Sequence, residues 1–334
     1  MERVFVTRRI PREGLARLQR DCAVDVWEDE LPPPPAALRE RIRGAAGLLC
    51  LLTDVVDEHL LQAAGPGLRV ISQMAVGVDN IDLAACTRRG IPVGHTPGVL
   101  TETTADLAVA LLLAAARRLP EAQAAVRAGD WVTWRPLWLA GHDVHGATVG
   151  IVGLGRIGRA VARRLRGFGC SILYTGPRPV PEAREVDARF VDLEELLAVS
   201  DFVTLHCPLT PRTRHLIDER ALARMKPTAI LVNTSRGAVV DPEALYRALA
   251  AGRIAGAALD VTDPEPLPPD HPLLALPNCL VVPHIGSASV ATRTRMAVMA
   301  AENLLAGLRG EPLPHCANPE VYSRRDGDPR GPVT

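Results

Sequence analysis

The chain has 334 residues, 47% hydrophobic and 23% charged, with 38 basic side chains balanced by 38 acidic ones. That length accommodates two ordinary domains with buried cores, and zero formal net charge gives no electrostatic reason to expect nucleic acid or an anionic membrane as partner. The 7 cysteines are odd in number and form no C-x-x-C pair, which fits reduced thiols in a cytoplasmic protein better than a disulfide framework or a zinc site, so no metal is expected.

The opening MERVFVTRRI passes straight into a strand-like run without a secretory core. Over the first hundred residues RVFVTR, AVDVWE, GLLCLL, RVISQM and IPVGH read as strands. PREGLARLQRD, PAALRERIRG, VDEHLLQAAG and NIDLAACTRRG read as the helices between them. This alternation predicts a parallel sheet covered by helices. Prolines 32 to 35 make a stiff surface connection.

A helix opening at Thr101 is apolar almost all round and is expected to be buried, either inside the fold or against another subunit. Its longest apolar stretch, Leu107 to Ala116, is about half of what a bilayer crossing needs. An aromatic cluster, DWVTWRPLWLAG (130 to 141), follows in a chain otherwise poor in aromatics. A second strand–helix series begins at Thr148 and continues through LVNTSRG, AGAALDV and CLVVPHIG. An amphipathic helix spans 289 to 310, and the tail RRDGDPRGPVT is polar. A nucleotide-binding unit that starts near residue 148 implies a complete α/β region before it. The predicted organisation is a discontinuous outer domain, 1–98 plus 288–334, with a coenzyme domain, 99–287, inserted between them and a ligand cleft where they meet.

TVGIVGLGRIG (148 to 158) places G-x-G-x-x-G between a β-branched strand and a helix. Gly153 permits a tight turn, Gly155 lets the backbone approach a pyrophosphate, and Gly158 allows close helix–strand packing. The helix N-terminus then offers free N–H groups and partial positive charge to the phosphates. About 20 residues on, where NAD-binding proteins carry an acid for the ribose 2′-hydroxyl, the second strand ends Tyr174, Thr175, Gly176, Pro177, Arg178. A carboxylate there would repel the 2′-phosphate of NADP, and Thr175 and Gly176 remove it. Arg178 offers a guanidinium suited to phosphate, although taken alone it reads as a solvated surface arginine. NADPH is therefore the expected coenzyme, with NADH as the alternative.

Three later segments carry chemistry. Arg236 stands at the end of LVNTS, Glu265 among 5 prolines in LDVTDPEPLPPDHP, and His284 after CLVVP. Singly they read as a capping arginine, a solvated loop acid and a structural histidine. Together they suit reduction of a 2-oxo acid. The arginine grips the carboxylate and polarises the carbonyl, the histidine delivers the proton, and the glutamate orients the imidazole.

The order G-x-G-x-x-G, S-R-G, D-P-E-P, P-H-I-G-S resembles the D-2-hydroxyacid dehydrogenase family over nearly the whole chain. The runs VGVDNIDL, TPGVLTETTADLAVALLLAAARRLPEA, WRPLWLAG, LYTG and HIGSAS are similar to its glyoxylate/hydroxypyruvate reductase branch. The resemblance implies a two-lobed α/β fold, a Rossmann coenzyme domain inserted into a flavodoxin-like substrate-binding domain, and an NADPH-preferring reductase of glyoxylate and hydroxypyruvate. It assigns Arg236, Glu265 and His284 as catalytic. Val76 and Gly77 would receive the substrate carboxylate, with Ser287 beside the substrate. Gly155, Arg156 and Ile157 would form the pyrophosphate turn. Pro208 and Thr234 would line the coenzyme, while Asp260 and Gly286 would lie near the nicotinamide. Pro208 has no side-chain hydroxyl to offer, and Arg178 stands one place beyond the family's first basic position. The resemblance also implies a homodimer using the helix after Thr101. Trp138 then either closes the neighbour's site against bulky substrates or serves as interface core. Two other readings stand: a different D-2-hydroxyacid dehydrogenase such as one acting on phosphoglycerate, or a dinucleotide-sensing corepressor without turnover.

Overall fold

The computed structural model describes residues 1–323; the polar tail, 324–334, lies outside the described residues. The chain divides into two compact units, one of Met1–Leu100 with the chain from Ala288 onward, the other of Thr101–Ser287. Both are α/β, as the alternation of strand and helix patterns predicted.

In the first unit, strands β1 (Glu2–Val6), β2 (Cys22–Val26), β3 (Gly47–Cys50), β4 (Val70–Gln73) and β5 (Val93–Gly94) form one sheet in the order β2-β1-β3-β4-β5. Every pairing is parallel, which is the flavodoxin-like order. Val4, Phe5 and Val6 in β1, like Leu48, Leu49 and Cys50 in β3, are wholly buried, because helices cover both faces. Asp57 and Asp82 start two of those helices by accepting the N–H groups of Leu60 (2.9 Å) and Ala85 (2.8 Å). The expected strand IPVGH shrinks to two residues, since Pro92 has no N–H for a ladder.

The returning helix Val290–Leu308 closes this unit, and glycines set how near it lies. A Cβ on Gly14 would stand 2.7 Å from that of Ala297, one on Gly94 2.6 Å from that of Asn303, and one on Gly307 2.4 Å from Val70 Cγ2. The helix therefore touches both the sheet and the helix Arg12–Gln19 with no room for a methyl group.

In the second unit, β6 (Thr148–Val152), β7 (Ser171–Thr175), β8 (Ala188–Phe190), β9 (Phe202–Leu205), β10 (Ile230–Asn233), β11 (Gly256–Leu259) and β12 (Cys279–Val281) run β12-β11-β10-β9-β6-β7-β8. All pair in parallel. Counted from β6 the order is 3-2-1-4-5-6-7, a Rossmann sheet with one added strand, and its order reverses between β6 and β9. β8 carries no hydrophobic pattern, since Arg189 and Phe190 are exposed, and sequence periodicity does not mark it. Within the chain the helix Thr101–Ala116 buries Thr104, Ala105, Ala108, Val109, Leu111, Leu112 and Ala116 and leaves Ala110 exposed.

Gly307→Ala sets two effects against each other. Alanine favours a helix by about 1 kcal/mol, whereas forcing a methyl into a filled contact costs roughly 1–3 kcal/mol. The steric term should win, lowering the thermal midpoint, and Val70→Ala should restore most of the loss in the double variant.

Candidate active site

Beyond β6 the chain turns at Gly153, whose φ of +95° belongs to glycine. A Cβ there would also lie 2.8 Å from the backbone nitrogen of Cys207. At Gly158 a Cβ would meet the carbonyl oxygen of Gly153 at 2.3 Å, so turn and helix are pressed together. Gly155 differs: a Cβ would touch nothing within 4 Å. It caps the helix Arg156–Arg166 in an extended conformation with no side-chain cap, so no side chain satisfies the first N–H groups of that helix. The N–H groups of Arg156, Ile157 and Gly158 are those that would hold a pyrophosphate here.

At the end of β7, Thr175 is buried and its carbonyl accepts the Gly153 N–H at 2.9 Å. Gly176 fronts open space, and Pro177 and Arg178 are exposed. The hydroxyl of Tyr174 accepts the Val180 N–H at 3.0 Å and closes the loop that carries Arg178. Past β9, His206 bonds the hydroxyl of Thr204 (2.9 Å) and lies 3.5 Å from that of Thr234. Burial pushes the His206 pKa down to about 4, so the ring is neutral where the coenzyme residues Pro208 and Thr234 are expected to act. Nothing in sequence spacing singled out His206. Pro208 itself is exposed, and its carbonyl accepts the Thr213 hydroxyl at 2.6 Å.

The turn after β10 is tied by Asn233, whose side chain donates to the Arg236 carbonyl (2.9 Å) and accepts from the N–H and hydroxyl of Ser235 (both 3.0 Å). Arg236 donates from Nη1 to the Ser235 carbonyl at 2.8 Å. Gly237 then rests directly on the loop after β11: a Cβ there would stand 1.9 Å from the carbonyl oxygen of Thr262. In that loop the Thr262 N–H reaches Glu265 Oε2 at 3.3 Å, and Glu265 Oε1 lies 2.6 Å from His284 Nδ1.

Asp260, 2% exposed at the end of β11, organises the histidine's backbone. Its carbonyl accepts the His284 N–H (2.9 Å), and its carboxylate accepts those of Ile285 (2.6 Å) and Gly286 (2.8 Å). His284 is thereby held at φ +53°, a left-handed conformation that costs a non-glycine residue about 1 kcal/mol. A Cβ on Gly286 would crowd Asp260 Oδ2 at 3.0 Å and Thr104 at 3.3 Å.

The two acids are driven in opposite directions. Burial works to raise the pKa of Glu265, but the hydrogen bond and charge of His284, the Thr262 N–H and the charge of Arg236 together outweigh it and hold the carboxyl below its ordinary 4.5. At Asp260 burial wins over the Ile285 and Gly286 N–H groups and the charge of His284, raising that carboxyl. An ionised Glu265 at Nδ1 fixes the ring and leaves His284 Nε2 to exchange a proton.

Arg236, Glu265 and His284 thus come from three strand ends of one sheet, with Arg236's charge felt at Glu265 and Glu265 bonded to His284. Ser287 is the last residue of this unit, while Val76 and Gly77 belong to the first, in the turn after β4. The Trp138 ring lies under the Arg135 guanidinium at 3.7 Å, within a segment whose Trp131, Val132, Trp134 and Leu137 are exposed. A cavity of about 190 Å³ lined by His142, His145 and Asp201 opens at the amino ends of β6 and β9, away from this chemistry, and Asp201 there already engages Lys226 and the Thr148 N–H. Among the described residues no cluster of His, Cys, Asp and Glu could hold a metal ion, and no helix is long and apolar enough to cross a membrane.

Comparison with known proteins agrees with this architecture. Residues 109–286 match the NAD-binding domain of D-isomer-specific 2-hydroxyacid dehydrogenases. The chain is 55% identical over 316 residues to the human glyoxylate reductase/hydroxypyruvate reductase, covering 93% of this chain and 96% of that one. It is 55% identical over 325 residues to a glyoxylate reductase of Korarchaeum cryptofilum, covering 97% and 98%. A crystal structure of an NADPH-dependent glyoxylate/hydroxypyruvate reductase from Sinorhizobium meliloti, in complex with NADP and malonate, superposes with a TM-score of 0.85 at 34% identity, covering 95% of this chain and 97% of that one. With the dinucleotide turn and the histidine–glutamate pair on one parallel sheet, the chain belongs to the D-isomer-specific 2-hydroxyacid dehydrogenases, enzymes dependent on NAD(P).

Proposed function

We propose that the protein reduces small 2-oxo acids, glyoxylate to glycolate and hydroxypyruvate to D-glycerate, with NADPH as preferred coenzyme and His284 as general acid. The 2.6 Å contact between Glu265 and His284 Nδ1 carries this reading, because it fixes the ring and leaves Nε2 to face a carbonyl awaiting a proton. Arg236 grips the 2-oxo acid's carboxylate with its planar fork and polarises the carbonyl. The bound nicotinamide supplies a hydride to C2. His284 Nε2 gives its proton to the carbonyl oxygen, becomes neutral, and is recharged from solvent. In the oxidative direction the same nitrogen takes the hydroxyl proton.

NADPH preference rests on the loop after β7. An open glycine stands where an acid would hold a 2′-hydroxyl, and an exposed arginine follows, held in a loop that Tyr174 closes. The relative solved with NADP supports the same choice. The exposed apolar side chains of residues 131–137 support a homodimer, which would cover them; Trp138 would then belong to the dimerising segment. A coenzyme-sensing protein would bind NADPH without consuming it, so a steady-state assay with hydroxypyruvate separates that alternative.

His284→Ala should lower kcat by a hundredfold or more, on the order of what a positioned acid contributes, with NADPH affinity near wild type. Retained turnover would remove His284 from the proton step. Arg178→Ala should reduce the NADPH-to-NADH ratio of kcat/KM by about tenfold, the loss of one charge-assisted phosphate contact; an unchanged ratio would show that the loop after β7 does not select the coenzyme.

Glu265 also predicts a pH dependence of stability. Its folded pKa lies below the ordinary 4.5, so its contribution is complete above 4.5 and is lost as pH falls through the folded value. The thermal midpoints of wild type and Glu265→Gln should therefore stay separated near neutrality and converge in acid. A gap that widens on acidification would contradict the assignment.

A further inference from the structure

The turn after β4 is held through its carbonyls. Met74 and Ala75 are buried, and the chain surfaces at Val76, which is 37% exposed. Three successive carbonyls are then taken. The Thr96 N–H holds Ala75 O at 2.8 Å, His95 Nδ1 holds Val76 O at 2.9 Å, and Gln73 Nε2 holds Gly77 O at 2.7 Å. Because a carbonyl oxygen can only accept, the His95 proton on that side must sit on Nδ1.

In a planar trans peptide the C=O and the following N–H point in opposite directions. Fixing the carbonyls of Ala75, Val76 and Gly77 therefore aims the N–H groups of Val76, Gly77 and Val78 away from their holders. Among the described residues, none of these three N–H groups has a protein acceptor. A row of aligned, unspent donors on an exposed turn suits a carboxylate.

The holders are themselves anchored. The His95 backbone is clamped on both sides, its N–H on the His315 carbonyl (3.1 Å) and its carbonyl on Asn303 Nδ2 (2.9 Å). Gln73, wholly buried, exchanges two bonds with the Asn80 amide (2.6 and 3.0 Å). Asn80 in turn donates to the carbonyls of Leu51 (3.1 Å) and Asp54 (2.7 Å) in the loop after β3. Two of the three peptide planes are thus set by side chains, those of His95 and Gln73, and the third by the Thr96 backbone.

We propose that His95 is a positioning residue for the substrate carboxylate: its Nδ1–H pins the Val76 carbonyl and so aims the Gly77 N–H at the 2-oxo acid, with Gln73 doing the same for Val78. This rests on the function proposed above. His95 is the residue to test, being only half-buried, whereas Gln73 is part of the core.

The experiment measures binding of oxamate, an unreactive 2-oxo acid analogue, to the NADPH complex by calorimetry, together with KM and kcat for hydroxypyruvate. His95→Phe keeps a flat ring and removes the donor. It should weaken oxamate binding and raise KM by about tenfold, the worth of one hydrogen bond to a charged centre, with kcat within about twofold and NADPH affinity unchanged. His95→Asn places an amide nitrogen where Nδ1 stands and should restore binding; His95→Gln, longer by one methylene, should not. Wild-type oxamate affinity in His95→Phe, equal rescue by Asn and Gln, or a loss confined to kcat would each overturn the proposal, as would a wild-type protein that takes no oxamate. A wild type that binds oxamate but reduces neither glyoxylate nor hydroxypyruvate would defeat the function proposal alone.

Discussion

The buried carboxylate of Asp260 is the constraint on which the histidine–glutamate pair depends. It sits at the carboxyl end of β11, bonded to the N–H groups of Ile285 and Gly286, while its own carbonyl takes that of His284. Three bonds from one residue hold a histidine in a left-handed conformation that its side chain would otherwise avoid. The ring is consequently delivered to Glu265 by backbone geometry, before any substrate arrives. Burial costs Asp260 part of its acidity, and its N–H partners recover only part of that cost.

The same economy of backbone contact recurs around the site. Gly237 abuts the Thr262 carbonyl, which brings the arginine's turn against the glutamate's loop. Gly153 abuts the chain at Cys207, which joins the pyrophosphate turn to the segment expected to line the coenzyme. In each case a missing Cβ lets two loops from neighbouring strands share one surface. The carboxyl ends of a parallel sheet then act as a common platform, and chemistry is distributed among the turns rather than concentrated in one motif.

Charge is arranged with equal restraint. Glu265 remains ionised because His284 and Arg236 outweigh its burial, whereas His206 stays neutral because burial meets no opposing charge. A neutral imidazole without a charged partner and a carboxylate-paired imidazole set two histidines of one sheet in different environments. Their environments, not their residue type, make the distinction.

The sequence by itself determined the fold class, because β-branched runs alternating with helical patterns can bury their apolar faces only as helix-covered parallel sheets. It also marked the glycine turn, Arg236, Glu265 and His284, since those residue types at strand ends carry recognisable chemistry. It left β8 unmarked, since that strand's exposed Arg189 and Phe190 give no periodicity. Gln73, Asn80, His95, His206 and Gly237 were equally silent. Each acts through a partner distant in sequence or through a carbonyl with no residue-type signature, and an ordinary amide or imidazole looks the same in any loop. Only tertiary structure decided which peptide planes are pinned, which carboxylate keeps its charge and which N–H groups are left to a ligand, because those follow from distances across strands that no local pattern encodes.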